Sequence, residues 1–214
     1  MIGASHVTSA AQLCATFLDE AAGTDWAVAV PDLEMSVAEV VAHAAETCLW
    51  YAIDLSAGGI DLRLVEHRVT TDGSNRDLVD TLRSYAFVVS AVIEVSPASA
   101  RGFHPMGTAD PSGFAAMACD ELLIHTDDAA RGLGLSFRPP ADLADVVLRR
   151  LFPWVAPGDD PWDQLRWANG RIALKRCVTA RPPRSKAACA CAAVASLCPT
   201  ETRIPRSASA SISS

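Results

Sequence analysis

The stretch Cys119-Asp120-Glu121-Leu122-Leu123-Ile124-His125-Thr126-Asp127-Asp128 places a carboxylate and an imidazole four residues apart inside an apolar helical pattern. On an α-helix that spacing sets the two side chains about 40° apart around the axis and one turn apart along it. A carboxylate oxygen of Glu121 and a ring nitrogen of His125 can therefore reach one ion. Leu122, Leu123 and Ile124 draw this turn toward a core, where an unpaired ionisable group is costly and calls for a metal or another partner. A third ligand has to come from another helix, and His43 leads, centred in Val40-Val41-Ala42-His43-Ala44-Ala45-Glu46 among small and apolar neighbours. Two His and one carboxylate make an open site for Zn²⁺, Fe²⁺ or Ni²⁺. Spacing alone also fits a solvated Glu–His surface couple.

Other residues are weaker candidates. His104, in Phe103-His104-Pro105-Met106-Gly107, precedes the helix of Glu121 and is read as a pocket-lining or substrate-facing group, or as a surface-loop His. Glu46 is an outer partner of the site or a plain helix charge. Asp128 either orients His125 or faces water. Trp50 and Tyr51 wall a pocket or pack in the core, and His6 and His67 look peripheral.

The elements that must position these groups are helical. The first helix is expected from about His6 to Ala22, with Ala10, Leu13, Cys14, Phe17 and Leu18 on one face. The second opens on Ser36-Val37-Ala38-Glu39, a capping box, and runs to about Leu55 before Gly58-Gly59. The third runs from Ser74 or Asn75 to Val95, with Pro97 just beyond. The fourth starts at Asp110-Pro111 and reaches Arg131, with Gly132 as a left-handed cap. Shorter helices follow, one after Pro139-Pro140 to Leu151 and one from Asp160-Pro161. Leu62 to Val69 reads as a brief extended stretch, and the linker from Ser96 to Ala109 is long enough to shape a pocket mouth. This pattern predicts an all-α protein, an antiparallel four-helix bundle over residues 6–135 with a helical C-terminal extension over 136–175.

Charge divides the chain unevenly. Residues 1–170 hold ten Arg, no Lys and 24 acids, a net charge of −14, whereas residues 171–214 carry a net charge of +7. An acidic body argues against nucleic acid as the main partner. No apolar run approaches the ~20 residues of a membrane span, and the N-terminal segment lacks the basic region of a secretory signal. A cytoplasmic protein with no membrane partner is expected. Cys14, Cys48 and Cys119 sit singly in helical patterns as buried free thiols, while Cys177, Cys189, Cys191 and Cys198 lack CxxC spacing. Residues 176–214 lose periodicity and are read as a disordered tail, or as an out-of-frame translation of GC-rich DNA.

The run from Gly113 to Asp128 resembles the last bundle helix of mycothiol-dependent maleylpyruvate isomerase-like proteins of actinobacteria, a branch of the DinB-like superfamily. Val41-Ala42-His43-Ala44 is similar to their second-helix metal motif, and Leu151-Phe152-Pro153-Trp154 and Trp167-Ala168-Asn169-Gly170-Arg171 to a recurring C-terminal portion. The resemblance spans roughly residues 6–175. It implies a DinB-like bundle whose His43, Glu121 and His125 hold a divalent metal, usually zinc. It further implies mycothiol as a low-molecular-weight thiol, a small electrophilic substrate, and either isomerisation or thiol S-transfer. In the isomerisation the thiol adds to a cis double bond, the adduct rotates, and elimination releases the trans isomer and the thiol. A non-catalytic, metal-stabilised binding or regulatory bundle and a metal-assisted hydrolase remain alternatives, as do monomer and homodimer. No residue announces itself as a general base.

Overall fold

The computed structural model describes residues 1–173, so the readings made for residues 176–214 lie outside the described residues. The described chain is mostly helical, with little strand. In order come α1 (Ala4–Ala21), α2 (Val37–Ala57), α3 (Asn75–Val95), β1 (Gly102–His104), β2 (Gly107–Ala109), α4 (Pro111–Gly132), α5 (Ala141–Leu151) and α6 (Pro161–Ala168).

Local chemistry sets most of the boundaries. At α2 the Ser36 hydroxyl accepts from the Glu39 N–H at 3.3 Å, while the Ser36 N–H donates back to the Glu39 carboxylate at 2.7 Å. Ser74 and Asp77 repeat the arrangement at α3, with distances of 3.3 and 2.8 Å. Asp110 caps α4 by accepting from the Gly113 N–H at 2.7 Å. Helix α1 starts two residues before its expected position, because the Gly3 N–H donates to the His6 ring at 3.3 Å and extends the first turn. That is the role of His6.

Two expectations are corrected. Gly132 does not cap α4 in a left-handed conformation; it is the last helical residue, and Gly134, at φ 68°, takes the left-handed position. Gly132 is small for a different reason, since a Cβ there would sit 2.6 Å from Val37 Cγ2. The segment Leu62 to Val69 forms no strand, and the short strands fall instead inside the linker before α4. There β1 and β2 pair antiparallel, Phe103 against Thr108, around a turn at Pro105-Met106. The hairpin is seated by the Phe103 N–H, which donates to the Gly58 carbonyl at 2.9 Å. Gly102 allows this close approach, because a Cβ would meet Leu55 Cα at 2.7 Å and the Phe114 ring at 2.5 Å.

Helix α2 packs on α3 and α4, and α1 packs on the same two helices. Their shared core includes Val7, Leu18, Val40, Cys48, Val79, Leu82, Phe114, Cys119 and Leu122, and burial of this apolar surface is the main stabilising contribution. Helices α5 and α6 pack on each other and α5 on α4, so that Leu148, Trp162 and Leu165 join the same core. Helix α4 is consequently buried on nearly every side, its polar residues Asp120, Thr126, Asp127 and Asp128 included. Cys14, Cys48 and Cys119 are free and buried. Among the described residues no helix is long and apolar enough to cross a membrane.

Candidate metal centre

Helices α2 and α4 face each other at mid-length, and the structure brings His43, Glu121 and His125 together there. One donor atom from each lies within 4.8 Å of the other two. Glu121 Oε2 stands 3.0 Å from His125 Nε2 and 4.0 Å from His43 Nε2. The two imidazole rings meet edge to face, with centroids 5.0 Å apart. A tetrahedral ion with bonds of about 2.0–2.1 Å needs donors roughly 3.4 Å apart, and the observed separations bracket that value.

Burial grades across the site. The Glu121 and His125 side chains retain 16% and 14% of their exposure, whereas His43 retains 49%. The centre is therefore closed by protein behind α4 and faces solvent beside His43.

Glu121 is held from one side only. Tyr51, buried one helical stretch beyond His43, donates its hydroxyl to Glu121 Oε1 at 3.2 Å. The other oxygen, Oε2, is buried without a formed hydrogen bond, and beside it lie His125 Nε2 at 3.0 Å and His43 Nε2 at 4.0 Å, which pair with it only when protonated. A buried orphan oxygen is costly. Here it points between two imidazoles, an environment that a cation bound by all three groups satisfies. The donor set thus fits a divalent metal.

His125 is fixed at its far nitrogen. Nδ1 lies 3.2 Å from Asp128 Oδ2, and Asp128 has no solvent exposure. Arg171 donates to the same carboxylate, from Nη2 to Oδ2 at 2.7 Å and from Nε to Oδ1 and Oδ2 at 3.0 and 3.1 Å. Arg131 contributes a longer contact to Oδ1 at 3.5 Å. Asp128 is therefore a buried outer partner of the site and does not face water.

The charges follow from these contacts. Burial pushes the Asp128 carboxyl up, but His125 and Arg171 outweigh it and bring the pKa down to about 2. Burial pushes His125 down, yet Asp128 and Glu121 raise its pKa to about 9. For Glu121, burial raises the carboxyl, and the adjoining His125, His43 and the Tyr51 hydroxyl together hold it below its ordinary value. His43 is lowered, first by burial and then by the neighbouring His125. Without a metal, the site is thus an alternating chain of Glu121 carboxylate, His125 imidazolium, Asp128 carboxylate and Arg171 guanidinium.

The remaining candidates fall outside the ligand set. His104 sits at the end of β1 with its ring 6.2 Å from that of Tyr51, and its Nδ1 accepts from the Met106 N–H at 3.3 Å. Burial lowers its pKa, so it is a neutral ring beside the centre. Glu46 accepts the Val69 N–H at 3.2 Å and anchors the connection between α2 and α3. His67 packs between Trp50 and Tyr85, with centroids 6.4 and 5.2 Å away. Sequence reasoning read Tyr51 as a pocket wall or a core residue, not as the partner of Glu121, and missed Arg171 as a partner of the site. A buried Tyr eight positions after a helical His is a signal for the former. A contact across 43 residues leaves none for the latter.

Comparison of the chain with protein-family models, curated proteins and solved structures finds no match.

Proposed function

We propose that this chain is a DinB-like four-helix bundle, formed by α1 to α4, that carries one divalent metal on His43, Glu121 and His125. Zinc suits the nitrogen and oxygen donors. The observation that carries the reading is the convergence of His43, Glu121 and His125 donor atoms within 4.8 Å on a buried Glu121 Oε2 that makes no formed hydrogen bond. Beyond the metal, we propose a thiol-dependent isomerase or S-transferase acting on a small electrophile, of the maleylpyruvate isomerase type, with mycothiol or a similar thiol as co-substrate.

The chain's own residues divide the work. Tyr51 holds Glu121 by one oxygen and leaves the other for the site. Asp128 accepts a hydrogen bond from His125 Nδ1–H, so that Nε2, once unprotonated, would present its lone pair toward Glu121 and His43. His43 lies on the solvent side, where a thiol and a substrate can enter. The bound metal would supply Lewis acidity, lowering the pKa of an incoming thiol and polarising a carbonyl. The nucleophile arrives with the thiol, because the free cysteines among the described residues, Cys14, Cys48 and Cys119, are buried and their thiols pushed up by desolvation.

The site also ties α2 to α4, which favours a second reading as a metal-stabilised binding module. Structural zinc sites close with four protein ligands, and the half-exposed His43 of a three-residue set favours the catalytic reading over it. Metal analysis of purified protein is expected to find one divalent ion per chain, and calorimetry of the loaded protein is expected to show a cysteinyl thiol binding. A loaded protein that binds no thiol would leave the module reading in its place.

A further inference from the structure

Three acidic groups on α4 are buried, and the segment from α6 onward supplies a partner to each in turn. Arg166 Nε donates to Asp127 Oδ2 at 3.0 Å, Asn169 Nδ2 to Asp120 Oδ1 at 2.9 Å, and Arg171 to both oxygens of Asp128. Of the three acids, Asp128 is the one that touches a proposed metal ligand.

Arg171 is itself held in advance. Its N–H donates to the Arg166 carbonyl at 2.8 Å, and Nη1 donates to the Asn169 carbonyl at 2.9 Å. Gly170, at φ 71°, makes the left-handed turn that sends the side chain back toward α4. The Arg171 side chain is 12% exposed, and its guanidinium meets Asp128 in a fork that a lysine ammonium cannot reproduce. Arg131 is no substitute, since its other nitrogen serves Asp32 Oδ2 at 2.9 Å and its contact to Asp128 is longer.

We infer that Arg171 is a positioning residue for the metal centre, acting through Asp128 to fix the ring orientation and tautomer of His125. The inference rests on the reading of His43, Glu121 and His125 as metal ligands. Arg171 places the Asp128 carboxylate, Asp128 binds Nδ1–H, and the His125 ring can then turn only Nε2 toward the other two ligands. The Trp167-Ala168-Asn169-Gly170-Arg171 run thus ends in the residue that sets the site, and the segment after α6 becomes part of the metal centre without supplying a ligand.

This role and simple electrostatics predict opposite results. A cation beside a cation site weakens metal binding by repulsion, so deleting the Arg171 charge alone would strengthen it. Positioning predicts weakening. The test is titration of the metal-free full chain with Co²⁺, read by its visible ligand-field spectrum, in wild type, Arg171→Met, Arg171→Lys and Arg166→Met. Arg166→Met removes the adjacent ion pair between the same two segments and leaves the partner of His125 in place. Arg171→Met is expected to bind Co²⁺ about 10–100-fold more weakly, with altered ligand-field bands. Arg171→Lys is expected to fall between it and wild type, and Arg166→Met to keep the wild-type spectrum and affinity. Should Arg171→Met fail to fold, Arg171→Lys carries the test, because it keeps the charge and loses the fork. Wild-type affinity and spectrum in Arg171→Met, or in Arg171→Lys where only that variant folds, overturn the inference and leave the metal reading standing. A wild-type protein that takes up no Co²⁺ overturns both.

Discussion

His125 Nδ1 lies 3.2 Å from the carboxylate of Asp128, three residues further along α4 and wholly buried. That contact decides which face of the imidazole is available. With Nδ1 bound to a carboxylate, Nε2 is the nitrogen left to meet Glu121 and His43, and the ring is held in place before any ion arrives.

The three proposed ligands are expected to act as a unit. Single replacement of His43, Glu121 or His125 by Ala should lower metal affinity by more than the ~10–100-fold typical of losing an outer partner. His6→Ala, His67→Ala and His104→Ala should retain full occupancy, since His6 caps α1, His67 packs between Trp50 and Tyr85, and His104 lies outside the ligand cluster. Elemental analysis after dialysis measures this. Full occupancy in His43→Ala would remove α2 from the site.

The pH dependence has a definite sign. In the metal-free protein the His125 pKa is raised to about 9, so its contribution to stability is complete below the unfolded value of ~6.5 and is lost as pH rises through about 9. Asp128, lowered to about 2, contributes above the unfolded value of ~3.9 and loses that contribution as pH falls through about 2. Metal-free protein should therefore melt at progressively lower temperature between about pH 6.5 and 9. A metal needs the unprotonated ring, so its binding below about pH 9 should release a proton and tighten as pH rises. Calorimetry in buffers of different ionisation enthalpy counts that proton. Metal affinity independent of pH over this window would exclude His125 as a ligand.

Gly132→Ala sets helix propensity against packing. Alanine should favour the helix by about 1 kcal/mol, but its Cβ would lie 2.6 Å from Val37 Cγ2 and 3.2 Å from Val30 Cγ2. Overpacking costs about 1–3 kcal/mol, so the substitution should destabilise by up to ~2 kcal/mol in denaturant unfolding. A more stable variant would mean that the contact between α4 and the start of α2 yields easily.

Much of this molecule was legible in local chemistry. The Ser36 and Glu39 capping box, Asp110-Pro111 and the 3.6-residue spacing of Leu78, Leu82 and Val89 mark helices that form where expected. Glu121 and His125 were visible as a pair because i,i+4 spacing is a property of one helix. Gly132 misled because glycine after a helical run reads as a cap, whereas here it relieves contact with Val37, a residue remote in sequence. The hairpin of residues 102–109 was missed because each strand has only three residues, and its seat on Leu55 and Phe114 is a tertiary contact. Arg171 and Asp128 lie on separate elements, and their pairing follows from the burial of α4, which no single segment encodes.

The central claim is an open His43, Glu121 and His125 metal site that accepts a thiolate from solution, and the absorption spectrum of the cobalt-substituted protein tests it most directly. Stoichiometric Co²⁺ should give ligand-field bands in the wild type and none in Glu121→Ala or His125→Ala. Adding mycothiol or a close cysteinyl analogue should then bring up a thiolate-to-cobalt charge-transfer band, with the thiol titrating well below its free value of about 8.5. A cobalt-replete protein whose spectrum does not change with thiol contradicts the account.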